Sequence, residues 1–449
     1  MLISWLAACE PEGPRPLPLY GTVPTDTVPA FYGWVPRNIL MISIDTLRKD
    51  HLDRYGDTHA APFLSWMADS GYALDQHAQC SDWTMASTSC TLAGRHNEEA
   101  GITPQLISGF VTAWPAGTPF LATALHDAGF YSILSSTNGW LGPEWGNASG
   151  YDVAYHPHDA SAWGAYREAR ESLAAAQSGP SDFAERWFMH VHVVEPHPSY
   201  NPPAEYLDGL ADLDPVPYDL AERDIQYDVA RDDWANLDPE MQDLVEQHLR
   251  VRYAGDVSWL DAQVRWIIAD MDYDHLLDDT LVVVWSDHGE QFWEHGFQTH
   301  AYQLFGEEND GLLFFWSKNI VTGSWSGPTS AIDLAPTLVA LQGVPVPPEM
   351  TGVVLGQAPD DRPTFAHAIA RTGALSSVQA NGWKLVYNWL GTVRLYDRTV
   401  DPLETTDLYD PEAPSAEAQA LWAALRPQLD VQAAASPNYG QSLPDELEP

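Results

Sequence analysis

Thr280–Glu290 reads TLVVVWSDHGE. Leu281–Trp285 is an unbroken apolar run rich in β-branched residues, the pattern of a strand covered on both faces. It then delivers Asp287, His288, Gly289 and Glu290 in a row. Working outward, four other runs share this character: Asn38–Ile44 (NILMISI), Phe130–Ser135 (FYSILS), Trp187–Val194 (WFMHVHVV) and Leu312–Ser317 (LLFFWS). Helical patterns fall between them, at Pro62–Ser70, Thr84–Ala93, Pro119–Ala128, Ala160–Ala176, Pro239–Met271 and Ile332–Leu341. Such alternation predicts an α/β fold: a mostly parallel central sheet with helices on both faces.

After about Gly343 the texture changes. Ala374–Ala380, Trp383–Tyr387 and Val393–Tyr396 are short segments separated by Gly and Asn, which predict a small antiparallel sheet. A closing helix is expected over Ser415–Leu429. The organisation read from the chain is a signal-like segment at 1–9, a Pro-rich spacer at 10–36, an α/β domain at 37–345, a smaller α+β subdomain at 346–430 and an acidic tail at 431–449.

The chain has 449 residues, with 63 Asp and Glu against 21 Lys and Arg, a net charge of −42. Only three of the basic residues are Lys, at positions 49, 318 and 384. This balance argues against nucleic-acid binding, which needs a basic stripe. A polyanionic substrate is repelled at long range unless a metal or local cations override the mean field. No apolar run approaches the roughly 20 residues that span a bilayer. Nineteen Trp, 19 Tyr and 13 Phe exclude disorder for most of the chain.

At the amino terminus, residues 2–8 (LISWLAA) precede Cys9, and Leu6–Cys9 is similar to a bacterial lipoprotein lipobox. The stretch is short and no Lys or Arg precedes it, so a lipid anchor at Cys9 and a chance Cys are both open readings. The anchor would set the chain in the periplasm or on the cell surface and would be its one membrane contact. Cys80 and Cys90 remain, as a disulfide or as two inert thiols. There is no CxxC, which excludes a thiolate zinc site.

In an open α/β sheet the ligand sits at the carboxyl ends of the strands. The first run ends in Asp45, the third in Glu195, Pro196 and His197, and the fourth in Asp287, His288 and Glu290. These carboxylates and imidazoles arrive on one rim from distant segments and would repel one another without a cation between them. The set suits Mn, Zn or Mg, and less decisively Ca. One divalent metal site is expected; a second would need Glu195 or further histidines. Thr84 starts the helix that ends before Gly94. A helix start offers free N–H groups and a positive dipole end to an anion, and a metal beside the hydroxyl would make it a nucleophile.

These stretches together resemble the sulfatase family of the alkaline phosphatase superfamily. The likeness runs from about Arg37 to Leu429, through ISIDTLRKDHLDRYG, WTMASTSCTLAGR, VHVVEPHPSY, DTLVVVWSDHGEQFWEHG, AIDLAPTLVALQGVPVP and the closing WKLVYN and RLYDRTVDPLETTDL. The resemblance implies Asp45, Asp287 and His288 as metal ligands and Thr84 as a nucleophile that also touches the metal. It places His192 and His197 against the sulfuryl or phosphoryl oxygens. His295 and His300 fall where relatives hold substrate or protonate the leaving group, and Arg95 is the nearest candidate for local positive charge.

One departure matters. Relatives that use formylglycine carry Cys- or Ser-x-Pro-Ser-Arg at the nucleophile; here Thr84–Thr88 reads TMAST, with Thr88 where the Arg would stand. Formylglycine is therefore not expected, and a Thr ester intermediate leans toward phosphoryl groups. The expected activity is hydrolysis of a sulfate- or phosphate-type ester on a small-molecule, glycan or lipid substrate. A phosphoryl or phosphoglycerol-type transferase and a catalytically inactive surface binding protein are the alternatives. Acceptor dependence separates the first, and turnover of any ester excludes the second.

Overall fold

The computed structural model describes residues 27–103, 113–178, 185–359, 361–371, 373–435 and 447. Cys9 and the lipobox-like segment, most of the 10–36 spacer and most of the acidic tail lie outside the described residues.

The large sheet is built from β1 (Asn38–Ile44), β2 (Tyr72–Ala78), β3 (Tyr131–Ser136), β4 (Val153–Tyr155), β5 (Trp187–Val193) and β6 (Thr280–Ser286). A two-stranded ribbon follows, β7 (Gln291–Phe292) with β8 (Gln298–Thr299), and then β9 (Leu313–Trp316) and β10 (Gly323–Ser330) return to the sheet. Its order is β10-β2-β9-β6-β1-β5-β3-β4. All pairings are parallel except those of β9, which runs antiparallel to both β2 and β6. The helices are α1 (Pro62–Ser70), α2 (Thr84–Ala93), α3 (Leu121–Asp127), α4 (Ala162–Gln177), α5 (Arg223–Asp228), α6 (Pro239–Tyr273), α7 (Gly306–Asn309), α8 (Leu334–Leu341) and α9 (Ala416–Ala435).

Strand period two sorts the side chains into two cores. Leu40, Ile42 and Ile44 of β1, with Val282 and Val284 of β6, pack under α1, α4 and α6. Ile39 and Met41, with Leu281, Val283 and Trp285, pack against α3, α8 and the end of α2. Full burial of each such side chain contributes roughly 1.5–3 kcal/mol. The seam of α6 shows the helical counterpart: Val245, Leu249, Tyr253, Val257, Leu260, Val264, Ile267 and Met271 recur every three or four residues and are all buried. Asp238 caps this helix by accepting from the Met241 N–H, and Pro239 occupies its first turn.

The C-terminal part forms an antiparallel sheet in the order β11 (Thr364–Ala370), β12 (Gly373–Ala380), β13 (Trp383–Asn388) and β14 (Thr392–Asp397). The face bearing Val378, Leu385 and Leu395 is covered by Leu421, Trp422, Leu425 and Leu429 of α9. That helix passes Pro427 and ends at Ala435, six residues beyond the expected stop.

Cys80 and Cys90 form a disulfide across ten residues, tying the loop before α2 to its last turn. Of the two readings open for this pair, this is the one found. Replacing both with Ser is expected to cost roughly 2–3 kcal/mol, the entropy of so short a loop, while turnover per folded molecule stays unchanged. Urea unfolding and titration of active sites measure the two effects, and unaltered stability would refute the first.

Candidate active site

The sheet centre sets the site. β1 and β6 pair in parallel register up to Ile44 opposite Ser286. The next residues, Asp45 and Asp287, therefore leave adjacent strand ends side by side. Asp287 donates its N–H to the Ile44 carbonyl at 3.2 Å, and Asp45 to that of Val193 at 2.9 Å. Thr46, β-branched, takes φ of 58°, an unfavourable conformation for such a residue. It is held there by its N–H to Asp287 Oδ1 at 3.2 Å and by its carbonyl, which accepts from the Tyr253 hydroxyl at 2.7 Å.

Asp45, Asp287 and His288 are fully buried and can each offer a ligand atom, these atoms lying within 4.8 Å of one another. Asp45 Oδ1 and Asp287 Oδ2 have no hydrogen-bond partner. His288 Nδ1 donates to the Gly289 carbonyl at 3.0 Å, so Nε2 turns its lone pair toward Asp45 Oδ1 at 3.6 Å and Asp287 Oδ2 at 3.7 Å. Burial lowers His288 to about 4, which keeps it neutral. Burial, then the charge of Asp45, raises Asp287 well above the usual carboxylate range. Three lone-pair donors thus face one another. The donor set and the bare oxygens fit a divalent cation.

Thr84 opens α2 with its hydroxyl 3.5 Å from both Asp45 Oδ2 and His288 Nε2. No side chain caps this helix, and its first internal bond is from the Ser87 N–H to the Trp83 carbonyl. The N–H groups of the first turn are therefore available to an anion. Thr88, in the place of the family's Arg, is buried and donates its hydroxyl back to the Thr84 carbonyl at 2.7 Å. It brings no charge.

Three histidines gather near this cluster. His300 lies with its ring centroid 4.5 Å from that of His288 and 5.1 Å from that of His197. It is presented by two residues with positive φ, Thr299 at 73° and Ala301 at 66°, and its Nδ1 donates to Glu290 at 3.2 Å. Burial first, then the two neighbouring imidazoles, lower its pKa well below the ordinary value. His197 donates from Nδ1 to the Pro198 carbonyl at 2.7 Å, leaving Nε2 as an acceptor. His192 is fully buried in β5, within electrostatic reach of Asp45, His288 and His197.

Two expectations are corrected. His295 is not available to substrate: its Nδ1 pairs with Glu307, its Nε2 with the Glu404 carbonyl at 3.1 Å, and its ring stacks on Phe305. It locks the β7–β8 ribbon onto the C-terminal part. Burial lowers its pKa, but the hydrogen bond and charge of Glu307 outweigh that and raise it. The pair's contribution to stability is therefore present below about pH 6.5 and lost as pH rises through the folded pKa. His295→Ala should remove that pH-dependent step from thermal unfolding and leave kcat unchanged; a collapse of kcat would restore the catalytic reading. Arg95 follows Gly94 at the far end of α2, about 16 Å along the axis from Thr84, with its guanidinium over Trp114. Glu195, on which a second metal would have depended, turns toward Gln263 and the Ala162 backbone and lies outside the Asp45, Asp287 and His288 group.

The sequence reading missed Asn138. Its Oδ1 accepts from the Trp140 N–H at 2.9 Å, which aims Nδ2 at Asp45 Oδ2, 2.7 Å, and at the Thr84 hydroxyl, 3.4 Å. It stands just past the end of β3, so asking what that strand delivers would have found it. Trp83 packs edge-on against Trp140 beside it, and Trp145 packs tilted on Trp140, with centroids 5.6 and 5.1 Å apart.

The family profile described as Sulfatase matches residues 37–344, the whole of the large sheet with its ligand-bearing strand ends. The chain belongs to the sulfatase family. This sulfatase-family chain is 28% identical over 238 residues to a choline-sulfatase of Rhizobium meliloti, covering 49% of this chain and 46% of the relative. It is 22% identical to an arylsulfatase of Clostridium perfringens over 64% of this chain and 60% of that one. The chain thus spans about half the length of the curated relatives it matches. Among solved structures it is similar to the phosphonate monoester hydrolase of Silicibacter pomeroyi, with a TM-score of 0.65, 20% identity, and coverage of 89% of this chain and 96% of that one. At that identity the likeness concerns the fold.

Proposed function

We propose that this sulfatase-family chain is a metal-dependent hydrolase of sulfuryl or phosphoryl esters that attacks with the Thr84 hydroxyl. The observation that carries the reading is the meeting of Thr84, at the uncapped start of α2, with Asp45 and His288 at 3.5 Å. Asp45, Asp287 and His288 would hold the cation, which when bound supplies Lewis-acid charge to acidify the hydroxyl and offset the transferred group's oxygens. Asn138 orients Asp45 and Thr84. The free N–H groups of α2 receive the group's oxygens as the bond from Thr84 Oγ1 to sulfur or phosphorus forms and the bond to the leaving oxygen breaks. Nε2 of His197 and Nε2 of His300 are the unprotonated nitrogens beside the site; one of them would take the Thr84 proton as that bond forms and return it to the leaving oxygen. Water then cleaves the Thr84 ester and returns the hydroxyl.

The Thr itself favours phosphoryl substrates, since collapse to an aldehyde is closed to it. A panel of nitrophenyl sulfate, phosphate, phosphodiester and phosphonate, run on metal-depleted and reconstituted protein, tests the reading. No turnover of any ester after reconstitution with Mn, Zn, Mg and Ca would sink it. Acceptor-dependent turnover would turn it into a transferase. We also infer an oxidising, extracytoplasmic setting, which the Cys80–Cys90 disulfide supports. Thiol trapping of protein taken directly from cells tests that, and free thiols would count against it. Among the described residues no helix is long and apolar enough to cross a membrane.

A further inference from the structure

Behind His192 runs a line of polar groups through an otherwise apolar core. Ser43 of β1 lies opposite His192 of β5, and Met41 opposite His190. Odd positions of β1 and even positions of β5 thus share one face, the one that carries Ile39, Met41 and Phe188. On that face the Tyr151 hydroxyl meets His190 Nδ1 at 2.8 Å. His190 Nε2 meets the Ser43 hydroxyl at 2.7 Å. The same hydroxyl meets His192 Nδ1 at 2.8 Å. Ser43, His190 and His192 are fully buried. His192 Nε2, at the end of the line, is buried with no partner in the protein.

The direction of the protons follows from counting them. Tyr151 packs on Phe188 with a centroid separation of 5.6 Å, and its desolvated phenol stays protonated. Its hydroxyl has His190 Nδ1 as its hydrogen-bond partner, and because a phenol is a better donor than a neutral imidazole N–H and the imidazole nitrogen the better acceptor, the proton is assigned to that bond. Burial keeps both imidazoles neutral, and a neutral imidazole carries one N–H. With Nδ1 accepting from Tyr151, His190 bears its proton on Nε2 and donates it to Ser43. Ser43 has one proton left to give, and it goes to His192 Nδ1. The proton of His192 therefore sits on Nε2.

We propose that Tyr151, His190 and Ser43 are positioning residues that hold His192 as the Nε2–H tautomer, so that it offers a hydrogen-bond donor to the transferred sulfuryl or phosphoryl group. In that state His192 can be neither a metal ligand nor a general base, because its outward nitrogen has no lone pair to give. The line acts by removing the wrong tautomer, which would meet an anionic oxygen with a lone pair. This rests on the ester-hydrolase reading above for the identity of the acceptor, but the tautomer itself does not.

The test uses the full chain labelled with 15N-histidine. Two-bond 1H–15N correlation distinguishes the tautomers, and a His192→Asn sample assigns the resonance. The unliganded wild-type protein should show His192 protonated on Nε2. Ser43→Ala should populate both His192 tautomers and lower kcat/KM about tenfold, the worth of one hydrogen bond to a charged group. Tyr151→Phe, which removes the directing proton while keeping the ring, should mix the tautomers of His190 and His192 together. A wild-type His192 protonated on Nδ1 overturns the proposal whether or not the variants fold. So does a Ser43→Ala protein with unchanged tautomer and unchanged kcat/KM. An Nε2–H signal in a protein that turns over no ester would leave the line of donors standing and sink the hydrolase reading instead.

Discussion

Thr84→Ala is expected to lower turnover by roughly 10^4-fold or more, because it deletes the attacking atom rather than a contact to it. The fold should tolerate the change, since Thr84 opens α2 as its first residue and its side chain supports no cap. Thr84→Ser should retain measurable turnover, because the hydroxyl survives between Asp45 and His288. Rapid quench with a slowly hydrolysed ester should trap the label on the peptide containing Thr84 in the wild type and not in Thr84→Ala. Thr84→Cys should not become a formylglycine enzyme even beside the modifying machinery, because the Pro and Arg of that motif are missing between Thr84 and Thr88. Wild-type turnover by Thr84→Ala would show that the nucleophile lies elsewhere.

The second large effect is expected at the two aspartates, with opposite signs for activity and stability. Asp45→Asn or Asp287→Asn should reduce turnover by about 10^3-fold or more, through loss of the metal and its charge. Without metal the same changes should stabilise the protein, because two buried carboxylates with bare oxygens repel each other. The pH dependence follows. Burial and Asp45 raise the pKa of Asp287 in the folded state, so the folded protein holds that proton more tightly than the unfolded chain. Metal-free stability is then highest below the unfolded value near pH 4 and falls as pH rises toward the folded value. Saturating metal should abolish that fall and add about 4 kcal/mol at a thousandfold excess over Kd. Thermal unfolding across pH, with and without EDTA, gives both curves. Undiminished turnover in protein shown by elemental analysis to be metal-free would refute the metal's role.

The central strands were legible because burial on both faces leaves an apolar run with hard ends. Asn38–Ile44 and Thr280–Ser286 stand where the runs placed them. The strands toward one end of the sheet, β10 at its edge and β2 beside it, carry no such signal. β2 reads YALDQHA and β10 reads GSWSGPTS, polar mixtures whose pairing is set by neighbours rather than by their own pattern. The same physics divides the site. Asp45, Asp287 and His288 follow from asking what a buried strand delivers at its end. Ser43 and His190 lie inside strands, among residues that read as plain core, and only register reveals that they touch. His295 misled for the opposite reason: the resemblance places it with the substrate, but the fold brings Glu307 and the Glu404 carbonyl to its two nitrogens.

The in-register pairing of β1 with β6 also sets the order in which the molecule comes apart. Asp45 and Asp287 hang from the two middle strands, whose amides should exchange with solvent only on global opening, whereas His300 rides on a short ribbon and His197 on a loop past β5. Local openings start where few buried contacts hold the chain. On slow warming of protein loaded with a divalent cation, the histidine wall should therefore loosen first, while the proposed aspartate ligands still hold the ion. The protein would then pass through a species that has lost its activity but not its metal.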